Sequence, residues 1–173
     1  MSRTQPSDPL LTVTQILLRI GIAVMALIIL AGAVAVLALL LFPDQQVAPQ
    51  LTDASKGTVW WVAAGAATLI TILVLSIAFT LNLSRIVSTV GEGDPFRPEN
   101  ADRLDRMAWL ALATEACGFV LMPVVRTIAS HIGELRGDFE MSFGGFVVAL
   151  VLFILARVFR LGTRMRDDLE GTV

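Results

Sequence analysis

The sequence predicts an all-α membrane protein: one polytopic domain of four transmembrane helices in a bundle, with both termini in the cytoplasm. Three observations carry that prediction. Of 173 residues, 55% are hydrophobic and only 16% charged, whereas soluble domains average about 25% charge. Four apolar runs match the ~20 helical residues needed to cross a hydrocarbon core of about 30 Å. Basic residues, finally, gather on one side of those runs.

The first span, Ile16 to Phe42, is broken only by Arg19 and suits one tilted helix. Ala33-Val34-Ala35 resembles a signal-peptidase site, but the apolar run continues to Phe42. A signal peptide has an apolar core of about 7 to 15 residues that ends at its cleavage site, so retention of the span is expected. Val59 to Leu83, the second span, carries no charge. The third, Met107 to Val125, contains only Glu115. Arg157 and Arg160 stand near the end of the fourth, Met141 to Leu161, where long side chains reach back to headgroups. Pro123 is expected to bend the third helix.

Two connections fall on the opposite side from the termini. PDQQVAPQLTDASKG is a polar turn with two prolines. In RTIASHIGELRGDFE, the helical spacing of Ile128, Ile132, Leu135 and Phe139 predicts a segment that either lies along the membrane or prolongs its flanking helices. Small residues, notably Ala31, Gly32 and Ala35, then Ala63, Gly65 and Ala67, are expected to let helices approach within the chain, or between chains of a homo-oligomer.

Orientation follows from the charges. With the N-terminus inside, ten of the 13 basic residues are cytoplasmic, and only Lys56, Arg126 and Arg136 lie outside. Trp60 and Trp61 then open the second span at the outer interface, and Trp109 opens the third at the inner one. Indoles favour both positions.

Composition also excludes. A net charge of −2 and a pI near 5.3 leave no electrostatic footprint for direct nucleic-acid binding. The lone cysteine, Cys117, supports neither a disulfide nor a thiolate metal site. His131, the only histidine, has no companion ligand cluster, and neither HExxH nor GxSxG occurs. No enzymatic activity and no cofactor are expected. The terminal DDLEGTV has Gly171 where a PDZ ligand needs Ser or Thr, and reads as a solvated tail.

The polar stretch GEGDPFRPENADRL lies in a cytoplasmic loop predicted over residues 84–106. Its glycines follow a helix, so they do not form a phosphate-binding fingerprint, which needs a preceding strand. Gly91 is expected to end a helix in the left-handed conformation. Pro98 suits the first turn of the next, with Glu99 and Asp102 near its positive end. Glu99 with Arg103 and Asp102 with Arg106 have the spacing of helical ion pairs. Phe96, between two prolines, either dips into the headgroup layer or anchors a cytosolic partner.

The run DPFRPENADRL resembles the G-x-PF-x-x-ENA-x-RL signature between the second and third helices of a family of small bacterial four-helix membrane proteins, catalogued as domain of unknown function 2975. The closing FRLGTRMRDDLEGTV is similar to that family's ending, save for Met165 where leucine is usual and a shorter acidic stretch. The resemblance implies a four-span protein of the bacterial inner membrane. Members are often encoded beside a small helix-turn-helix regulator, which implies such a regulator as a partner.

Glu115 stands about 13 Å into the membrane beyond Arg106 on an ideal helix. An acid there costs on the order of 2.5 to 3.5 kcal/mol on insertion scales, so it is expected to face the interior, to stay protonated or to pair. Arg19 and Arg157 are the available cations, with Ser76, Asn82 and Thr114 as neutral alternatives. Such an acid either fixes helix register or relays a proton or ion, the latter in a small homo-oligomeric transporter or channel. The leading expectation is a regulatory or scaffolding protein without catalysis. Its cytoplasmic face, Phe96, Asn100, Arg103 and Arg106 together with Arg164 and the tail, would dock a cytosolic protein.

Overall fold

A computed structural model describes residues 9–41, 56–132 and 143–170. Within them the chain is entirely helical apart from short turns, as expected: α1 (Pro9–Leu41), α2 (Lys56–Gly91), α3 (Pro98–Ile132) and α4 (Gly144–Glu170). Each helix is long and apolar enough to cross a membrane. The sequence readings made for residues 1–8, for 42–55, for 133–142 and for the tail beyond Glu170 lie outside the described residues.

The helices outrun the predicted spans. At 36 and 35 residues, α2 and α3 are each about 53 Å long, well beyond a 30 Å core. Most of the segment predicted as a loop over 84–106 is therefore helix; only residues 92–97 leave the helical path. Proline at the first position of α3, with Glu99 in its first turn, starts that helix where the sequence placed it. α3 continues through Pro123 as far as Ile132, so Ile128 and its neighbours prolong the helix. The backbone of His131 belongs to α3, and its side chain lies outside the described residues.

Packing follows chain order, with α1 on α2, α2 on α3 and α3 on α4. Neighbours run antiparallel. Leu11 approaches Gly91 and Gly32 approaches Ile70 between α1 and α2, while Gly65 receives Val124 and Ile128 of α3. The small residues Gly32 and Gly65 thus serve close approach within the chain. The four helices are unequal. α2, α3 and α4 share a core, whereas α1 leans on α2 and has no buried residue among those described.

That core sits at the α2–α3 turn end of the molecule. Ile86, Leu104, Met107 and Ala156 are buried there, flanked by Phe79, Leu83, Leu152 and Phe159. The location has a physical reason. Apolar packing gains little from lipid, which is as oily as the side chains, but about 1.5 to 3 kcal/mol per large side chain where helices emerge into water. The three helices therefore pack most closely at the end where α2 and α3 run past their predicted spans.

Candidate functional site

Chemistry-bearing residues gather in two places, the turn between α2 and α3 and the surroundings of Glu115. At the turn, the backbone closes α2 by paired bonds: Asp94 N–H donates to Thr89 O (3.2 Å) and Gly93 N–H to Val90 O (3.0 Å). This closure needs a residue in the left-handed region, which is Gly93 at φ 81°, not Gly91 as the sequence reading had it. Gly91 is still helical because the paired bonds extend the helix end by two residues. Gly93→Ala is expected to cost about 1 kcal/mol, the strain of a Cβ in that region, seen as a lower unfolding temperature in detergent. An equal or higher temperature would contradict the closure.

Asn100 is the centre of the turn. Its side chain, 0% exposed, donates from Nδ2 to Thr89 Oγ1 (2.7 Å) and Pro95 O (2.9 Å), and its Oδ1 accepts from Arg103 Nη1 (2.8 Å). Thr89 Oγ1 in turn donates to Ile86 O at 2.7 Å. Both amide protons and the amide oxygen are engaged inside the molecule and the residue is fully buried, so Asn100 cannot touch a docking partner, contrary to its assignment from sequence. Arg103 is drawn to Asn100 rather than to Glu99.

α4 holds this turn from the other side. The Phe96 ring packs on Phe159 with centroids 5.4 Å apart and lies over Gly162, where an added Cβ would stand 2.8 Å from Cδ1. Thr163 Oγ1 donates to Phe159 O at 2.9 Å and reaches Phe96 O at 3.2 Å. Phe96 keeps 43% of its surface exposed, but its first partner is α4. The two stretches singled out in the sequence, DPFRPENADRL and FRLGTRMRDDLEGTV, therefore pack against each other.

Ion pairs follow the same geometry. Arg166 meets Asp94 at 2.5 Å, and Arg97 bridges Glu92 at 2.9 Å and Asp94 at 3.3 Å. Arg160 meets Asp105 at 2.8 Å and Asp102 at 3.6 Å. The helical pair expected between Asp102 and Arg106 is not formed, and Asp102 has the Arg160 guanidinium of α4 within ion-pair distance instead. Arg106 and Arg164 remain exposed and belong to no ion pair among the described residues.

Glu115 meets neither Arg19 nor Arg157. Both arginines are exposed, on α1 and α4 respectively, and neither forms an ion pair with it. Its Oε1 instead accepts the backbone N–H of Gly145, the second residue of α4. The first four N–H groups of any helix have no partner in their own helix, and the positive end of the helix suits a carboxylate. Glu115 thus covers one such group at the start of α4. The neutral alternatives are all bound to their own helices: Ser76 to Ile72 O, Asn82 to Ala78 O and Thr114 to Leu110 O.

Sequence reasoning missed Thr89, Gly145, Gly162 and Thr163. A signal existed for Gly162: a glycine within a charged helical stretch costs about 1 kcal/mol against alanine and asks for a packing reason. Gly145 carried none, since its role is played by a backbone N–H.

Comparison with known proteins gives one match. A family model described as "Protein of unknown function (DUF2975)" covers residues 45–173, which include α2, α3, α4 and both turn motifs, with α1 lying before it. No curated protein and no solved structure matches.

Proposed function

We propose, for a chain that belongs to the DUF2975 family of unknown function, a non-enzymatic scaffold of the bacterial inner membrane that docks a cytosolic protein on the face carrying the α2–α3 turn. Both termini are cytoplasmic in this reading, as the arginine distribution favours. The observation that supports it is the rigid seating of the turn on α4. Ordering is done before a partner arrives, which spares the cost of immobilising a loop on binding. Four acids of the turn, Glu92, Asp94, Asp102 and Asp105, are paired within the molecule by Arg97, Arg160 and Arg166. Exposed at this end of the molecule, and outside any ion pair among the described residues, are Arg106, Arg164 and the acid Glu99, together with part of Phe96. That surface fits a partner with an acidic patch and an apolar notch. A helix-turn-helix regulator, the partner implied by the resemblance of the turn motif, is the first protein to try.

The docking face is accordingly Phe96, Arg106 and Arg164; Asn100 and Arg103 build it from beneath. Affinity purification from cross-linked native membranes tests the reading. The unaltered chain is expected to retain a cytosolic protein, and Arg106→Glu with Arg164→Glu to lose it while the protein still inserts and folds. Retention unchanged by both charge reversals, or no cytosolic protein retained by the unaltered chain, would refute the proposal.

A further inference from the structure

We infer that the cleft beside Glu115 is a binding site for a small lipophilic amine in its ammonium form. The cleft, about 260 Å³, lies where α2, α3 and α4 meet, and is lined by Ser76, Phe79, Thr80, Thr114, Glu115 and Val148 among others. Three features select the ligand.

The first is hydrogen-bond polarity. The single proton of each lining hydroxyl is already given to its own helix: Ser76 to Ile72 O (2.8 Å), Thr80 to Ser76 O (2.8 Å) and Thr114 to Leu110 O (2.9 Å). Their oxygens can only accept further bonds. In its carboxylate form Glu115 also only accepts, and only its Oε1 has a partner among the described residues. A ligand there must therefore donate, and an ammonium group carries three N–H donors.

The second is charge. No lysine or arginine lines the cleft, and the two cations expected to reach Glu115 are elsewhere. A cation bound beside this acid would offset the cost of holding a carboxylate at membrane depth, which no protein cation does there.

The third is size and surface. The volume exceeds the roughly 30 Å³ share of one water several-fold, more than a bare metal ion fills. The remaining wall is apolar, with the Phe79 ring available to a cation and Ala111 and Val148 to a hydrocarbon body. Gly145 completes the arrangement, because any side chain there would occupy the place of the Glu115 carboxylate.

The test uses the full chain in nanodiscs of zwitterionic lipid and radiolabelled phenethylamine, with empty nanodiscs to subtract partition into lipid. Saturable binding at one site per chain is expected. Glu115→Gln retains an oxygen for the Gly145 N–H, and should weaken binding at least about tenfold with helical content unchanged. Thr80→Val, which keeps the charge, should weaken it by a smaller factor, and phenethyl alcohol, uncharged and of nearly equal size, should not compete. The inference is overturned if Glu115→Gln binds as the unaltered protein does, or if the alcohol competes equally. It is likewise overturned if sodium displaces the amine, which would give the site to an inorganic cation, or if binding does not exceed that of empty nanodiscs.

Discussion

Replacing Asn100 by leucine is expected to destabilise the protein by about 2 to 4 kcal/mol, the cost of leaving buried polar groups without partners. Pro95 O loses its donor, Arg103 loses the oxygen that holds it, and the buried Thr89 Oγ1 loses one of its bonds. Asn100→Asp, nearly identical in shape, is expected to be at least as damaging. The proton of Thr89 Oγ1 is committed to Ile86 O and Pro95 O has none, so an aspartate would point oxygen at two acceptors in a buried site. Thermal unfolding in detergent, followed by circular dichroism, measures both. The turn should also become more open to protease, since the amide that ties Pro95 to α2 and α3 is lost. An Asn100→Asp variant within about 0.5 kcal/mol of the unaltered protein would show that the amide does not hold the turn.

The second large effect is expected at Gly145. An added Cβ would overlap Glu115 Oε1 and Cγ and stand 2.6 Å from Cδ, so Gly145→Ala must expel the carboxylate from the start of α4. An uncapped N–H and an acid without its donor follow, together worth about 2 to 4 kcal/mol in an apolar surrounding. The sign should reverse once the acid is gone. In a Glu115→Ala background nothing remains to collide, and Gly145→Ala should be neutral or stabilising by up to about 1 kcal/mol through helix propensity. Four unfolding curves, of the unaltered chain, the two single variants and the double variant, decide it. Additive losses would mean that the two residues are not coupled.

Neither effect follows from sequence patterns, although much of the scaffold does. The ends of α2 and α3 at Gly91 and Pro98 follow from the glycine and proline signals around the turn, because those residues act through their own backbone torsions. Which glycine takes the left-handed torsion was misplaced by two positions. A helix end is local in kind, but its length depends on the bonds that close it, and these reach from Asp94 back to Thr89. The ion pairs were misassigned for a related reason. Spacing along α3 offers Asp102 a partner at Arg106, while α4 supplies Arg160, which sequence distance conceals.

The exposed arginines show the same limit. Arg19, Arg106, Arg157 and Arg164 look alike in the sequence as cations near span ends. Arg160 and Arg166, only a few positions away, enter ion pairs while these four do not. One residue along a helix turns the side chain by about 100°, so a partner within reach of one position is out of reach of the next.

The amino-acid sequence by itself determined that this chain is four long apolar helices and where the middle turn lies, because hydrophobic length, charge and helix-end residues act locally. Tertiary structure alone decided what the polar residues do. It buried Asn100, seated Phe96 on Gly162 and gave Glu115 the N–H of Gly145 in place of an arginine. The physical reason is that these partners are backbone groups and missing side chains. Every residue but proline carries a backbone N–H, and a glycine's empty space has no chemistry of its own to read, so neither gains meaning until another helix is laid against it.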